Sequence, residues 1–133
     1  MPEQLSRMQV VVEENARILT EATLAHENKP SSGTRANLET AQYQLEYAEA
    51  FLSMLRRKDA FDSAERYARD VVKDMSSSSV TVGAMGVKRE LVFGIIVTVP
   101  SGRVAATRRK LATLLPVPFK VEGDPREAKH FTL

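Results

Sequence analysis

A chain of 133 residues with 43% hydrophobic and 27% charged side chains carries enough apolar material for a core and too much for global disorder. It contains no cysteine, which excludes disulfides, thiolate nucleophiles and cysteine-based zinc sites and makes a reducing cytoplasm the simplest setting. The net charge of +2 hides a skew: three basic against five acidic residues in 1–33, seven against eight in 34–75, and nine against four in 76–133. The positive excess belongs to the last segment, where it suits an acidic partner, either nucleic acid or an acidic protein face.

The N-terminal segment has only Val10, Val11 and Val12 in a row before Glu13 and Glu14, so it reads as neither a signal peptide nor a membrane span. Leu5, Met8, Val12, Ala16, Leu19 and Ala22 recur at three- and four-residue steps, which predicts a helix from Glu3 to about His26 with one apolar stripe. Val11 and Ile18 widen that stripe. In ENKPSSGT, Pro30 and Gly33 end the helix, and Thr34 is expected to cap the next one. From Leu38 the spacing tightens: Leu38, Ala41, Leu45, Ala48, Leu52 and Leu55 form a seam, with Tyr47, Phe51 and Met54 alongside. The register fails at RRKDAFD, where a break with Asp59 or Asp62 as a new cap is expected, followed by a stripe of Phe61, Ala64, Ala68, Val71 and Met75.

Ser76–Ser79 reads as a connector, and Gly83 and Gly86 in GAMG as a flexible turn. Val80–Val82 can form a short strand, and the apolar, β-branched run Glu90–Pro100 predicts a strand buried on both faces. A helix from Ser101 to Leu115 follows, stopped by Pro116; then VPFKVEG and REAKHFTL flank the turn GDPR as a last hairpin. The fold class is α+β: an N-terminal helical hairpin of two or three helices packed beside a small three- to four-stranded sheet with one crossing helix. Residues 1–75 are expected to form the helical region and 76–133 a small α/β module, parts of one domain by length.

Chemistry is thinly represented. His26 and His130 are the only histidines and fit no metal-ligand spacing, GAMG lacks the context of a phosphate loop, and no nucleophile, base and oxyanion set can be assembled. No cofactor, metal or catalytic residue is therefore expected, and an enzyme is the weakest reading. The helical hairpin offers more: Val11 and Ile18 on the first helix and Tyr47, Phe51 and Met54 on the second exceed what one seam hides. Either the α/β module covers this excess, or a second copy or another protein does. The leading expectation is a protein-interaction or assembly protein, an adaptor or homo-oligomer. The alternative is nucleic-acid association through Lys88, Arg89, Arg103, Arg108, Arg109 and Lys110. On a helical wheel Arg103, Arg109 and Lys110 face away from the arc of Val104, Leu111 and Leu115, as on any amphipathic helix. Arg108 falls inside that arc and must snorkel to the sheet edge, pair with a carboxylate such as Glu90 or Glu122, or meet an anionic ligand.

Overall fold

The computed structural model describes residues 2–125. In chain order it contains α1 (Pro2–Asn28), α2 (Ser32–Arg56), α3 (Lys58–Val72), β1 (Ser79–Val87), β2 (Glu90–Val99), a 3-10 turn (Ser101–Arg103), α4 (Val104–Ala112) and β3 (Phe119–Gly123). The protein is α+β, with a hairpin of two long helices and a three-stranded sheet among the described residues. REAKHFTL lies outside the described residues, and with it the second strand expected after GDPR. The chain divides into two compact units: Met1–Arg56 with Gly86–Val92, and Arg57–Met85 with Phe93–Leu133.

In the first unit, α1 and α2 pack on each other as an antiparallel pair joined by three residues. Ser31, rather than Thr34, caps α2. The Thr34 amide donates to Ser31 Oγ at 3.0 Å and the Ser31 amide donates to Thr34 Oγ1 at 2.9 Å, a reciprocal capping box in which Thr34 takes the inner place. His26, in the last turn of α1, meets the same Thr34 hydroxyl through Nδ1 at 2.8 Å and ties the two helix ends together. On α2, Ala41, Ala48, Leu52 and Leu55 of the expected seam are buried, while Leu38 and Leu45 are half-buried.

The helical run does break at the expected place. Arg57 occupies the N-cap of α3 without a side-chain cap bond, so neither Asp59 nor Asp62 has that role; Asp62 instead pairs with Lys58 inside the first turns. Within the second unit, α3 buries Phe61, Ala64, Ala68 and Val72, so the stripe steps by four from Ala68 and passes over Val71. Ser78 Oγ donates to the Val72 and Met75 carbonyls at 3.1 and 2.9 Å, which satisfies orphan acceptors at the helix end and gives part of the serine run a structural task.

GAMG is not a turn: Gly83 and Gly86 lie inside β1. The reversal comes one step later, at Lys88 and Arg89, whose φ angles of 50° and 69° form a two-residue turn of the kind that matches strand twist. A connection that short permits only antiparallel pairing of β1 with β2. β2 is central, and β3 runs parallel to it from Ile95 opposite Phe119 to Val99 opposite Gly123. The expected burial on both faces holds for one only. Phe93, Ile95, Val97 and Val99 are buried, whereas Ile96 and Thr98 are half-buried. The crossover between the parallel strands contains α4, which begins at Val104 because Ser101–Arg103 winds more tightly.

Candidate functional site

The expected interaction residues lie on the helical hairpin. α1 is 27 residues long, about 40 Å at 1.5 Å per residue, yet none of its described side chains is fully buried. Its contact stripe of Leu5, Met8, Val12, Asn15, Leu19 and Ala22 is half-buried against α2, and Val11 and Ile18, one step round the helix, remain 40% and 37% exposed. On α2, Tyr47 is 40% exposed, while Phe51 and Met54 are half-buried.

Two depressions run along one side of this helix pair. The first, of about 640 Å³, is walled by Met8, Val11 and Asn15 on α1 and by Tyr43, Gln44, Tyr47, Ala48 and Phe51 on α2. The second, of about 390 Å³, lies towards the interhelical connection, between Ile18, Glu21, Ala22 and Ala25 on α1 and Thr34, Asn37, Thr40, Ala41 and Gln44 on α2. Gln44 lines both, so the two depressions adjoin at that residue and together make a trough along the pair. Val11, Tyr47 and Phe51 share the first part and Ile18 lies in the second; Met54 lines neither.

The trough has a helical rhythm. Met8, Val11, Asn15, Ile18, Ala22 and Ala25 on its α1 wall advance by alternating steps of three and four. This is the spacing that presents a continuous row to another helix. Its wall is also electrically quiet, since Glu21 is its one charged residue. On the helical wheel the opposite side of the pair carries Glu13, Glu27, Arg35, Glu49 and Arg56. Arg17, on the outer side of α1, bridges Glu14 and Glu21, and its hydrogen bond and charge hold the Glu14 carboxyl below the usual carboxylate range. The hairpin thus has one partly apolar side, with Glu21 in its wall and Arg7 and Glu14 on the flank beside it, and one more highly charged side.

Sequence reasoning missed Tyr43, Asn15 and Gln44. Tyr43 stands one turn before Tyr47, with ring centroids 6.3 Å apart, and extending the Tyr47 row backwards would have found it. Asn15 and Gln44 carry no apolar signal, so hydropathy spacing passes over them.

The basic residues divide between the units. Lys88 and Arg89 form the exposed turn in the first; Arg103, Arg108, Arg109 and Lys110 are exposed in the second. The buried side of α4 is set by Thr107 and Leu111, with 2% and 0% exposure, and this leaves Arg108 at its edge. Its guanidinium reaches the Val121 carbonyl of β3 at 3.5 Å, the snorkelling solution among the three considered. Thr107 Oγ1 is buried and has no hydrogen-bond partner among the described residues.

His26, the histidine within the described residues, is engaged by the Thr34 hydroxyl, and no group of three metal-ligating side chains comes together among the described residues. No described helix is long and apolar enough to cross a membrane. Comparison with known proteins finds no matching family model, no matching curated protein and no matching solved structure.

Proposed function

We propose that this protein is a non-enzymatic interaction or assembly module that docks a helical protein partner along the α1/α2 trough. One observation carries the reading: a 27-residue helix with no fully buried side chain among those described holds Val11 and Ile18 open to solvent beside Tyr43 and Tyr47. A helix of that length gains most of its stability from covering an apolar face, and contiguous exposed apolar surface marks interaction sites. A helix laid into the trough would bury the row from Met8 to Ala25 by the spacing that helix-in-groove recognition uses.

A photo-crosslinking side chain placed at Tyr43 in the intact protein tests this. Discrete protein adducts, lost when Val11 and Ile18 are both changed to glutamate, support the reading, and the absence of any adduct refutes it.

Nucleic-acid association is a second reading, favoured by α4, which presents Arg108, Arg109 and Lys110 beside Arg103 with no acidic residue in the helix. Four phosphate contacts would give a salt slope of roughly −3.6 and a loss of about 10² in affinity between 50 and 200 mM salt. Fluorescence anisotropy with duplex and single-stranded DNA and RNA tests it. Binding that weakens in an Arg109→Glu, Lys110→Glu variant is expected, and no binding at the lower salt ends it.

A further inference from the structure

We propose that the occupant of the α1/α2 trough is a second copy of this chain, packed hairpin against hairpin as a four-helix arrangement. The inference rests on the assembly reading and names its partner.

Area is the first argument. The helix pair is about 40 Å long and about two helix diameters, or 20 Å, wide, so one side offers roughly 800 Å², the share each partner gives to a standard interface. A single docked helix covers half that width. It would fill the trough between the two walls but leave the outer flanks of both helices wet, whereas a second hairpin covers the whole side at once.

Charge is the second argument. A strongly acidic partner finds no counter-charge in this wall, and a strongly basic one finds only Glu21, which Arg17 already pairs. A surface with a single, already paired charge offers little repulsion to a copy of itself. Its central polar groups, Asn15 and Gln44, are amides, which carry both donor and acceptor and can pair with their own copies across a two-fold axis. An antiparallel arrangement, with the interhelical connections at opposite ends, brings Gln44 against its counterpart. It also keeps the two Glu21 carboxylates about 18 Å apart along the axis, beyond the screening length at physiological salt.

Sedimentation velocity on the intact chain is the direct test. An interface of this size implies a dissociation constant in or below the micromolar range, so a species of twice 14.8 kDa should dominate from about 10 to 100 µM. Val11→Glu with Ile18→Glu should raise that constant at least about 100-fold by placing like charges in the contact. Circular dichroism reports whether the helices persist, and Tyr43→Asp, at a residue 56% exposed on the other helix, should act alike if the first variant fails to fold.

The chain has no cysteine, so Gln44→Cys should give a disulfide-linked dimer on mild oxidation, while Gln42→Cys, on the charged side, should not. A monomer throughout the concentration range, a dimer indifferent to both trough variants, or a dimer in which Gln44→Cys fails to link overturns the proposal. The Tyr43 crosslinking separates the two levels. An adduct of this chain with itself supports a second copy, and an adduct with a different protein overturns that occupant while leaving the docking role standing. No adduct removes both.

Discussion

Replacing Gly94 by alanine should destabilise the second unit by about 2 kcal/mol. A Cβ at this buried position would sit 2.7 Å from the Pro118 carbonyl oxygen and also against Met85 Sδ. The thioether can swing aside, but Pro118 O belongs to the backbone and accepts the Ile95 amide at 2.9 Å. Relief therefore requires the segment entering β3 to move away from β2 and loosen that bond. Overpacking of this kind costs about 1–3 kcal/mol and a lost backbone hydrogen bond about 0.5–1.5. The stiffer unfolded chain returns only about 0.4–1 kcal/mol, so destabilisation wins. Urea unfolding followed by far-ultraviolet circular dichroism reads the change, and the melting temperature should fall by about 6–10 °C in a chain of this size. Gly86→Ala is the control: its Cβ meets nothing within 4 Å and its φ is negative, so stability should hold or rise slightly. A Gly94→Ala protein as stable as the parent would refute the close approach of Pro118 to β2.

The remaining expectations address single interactions. Thr107→Val removes a buried hydroxyl that has no partner among the described residues and should stabilise by about 1 kcal/mol in the same assay; a loss of stability would show the hydroxyl to be bonded. Replacing Lys88 and Arg89 by Asn and Gly, which suit a turn with two positive φ angles, should raise stability by about 1–2 kcal/mol, and a lower melting temperature would refute that geometry. Ser31→Ala deletes the acceptor for the Thr34 amide and should cost about 1 kcal/mol, whereas an unchanged unfolding midpoint would assign the cap elsewhere. Arg17 depresses the folded pKa of Glu14, so the stabilisation is present above the unfolded carboxylate value and is lost as pH falls through the lowered folded one. Its exposure makes the effect small and salt-sensitive. An NMR titration should place the Glu14 midpoint below the ordinary glutamate value, and a midpoint unmoved from that value would refute the pairing.

Much of the architecture was legible because it is encoded locally. Three- and four-residue spacing marks α1 and α2, the phase slip at RRKD marks the break at Arg57, and the β-branched run marks β2. Wherever the outcome depends on a distant partner, the local signal ran out. Two glycines in GAMG look like a turn until β2 supplies the ladder that holds them in β1, while the true reversal uses Lys88 and Arg89 against their backbone preference. Arg108 falls inside an apolar arc on the wheel, yet the packing that buries Thr107 and Leu111 turns α4 enough to bring its guanidinium to Val121. The grouping of α3 with most of the sheet, and the parallel setting of β3, likewise arise from contacts across the chain.

The candidate site follows the same division. Periodicity alone established that the two long helices carry apolar side chains beyond one seam, because a helix fixes the angle between successive residues. Only the tertiary structure decided which of those side chains α1 and α2 hide from each other and which they leave along the trough, and it alone placed Asn15 and Gln44 at the centre. Burial is a property of pairs of surfaces, and the neighbour that completes each pair is not written in the spacing of either one.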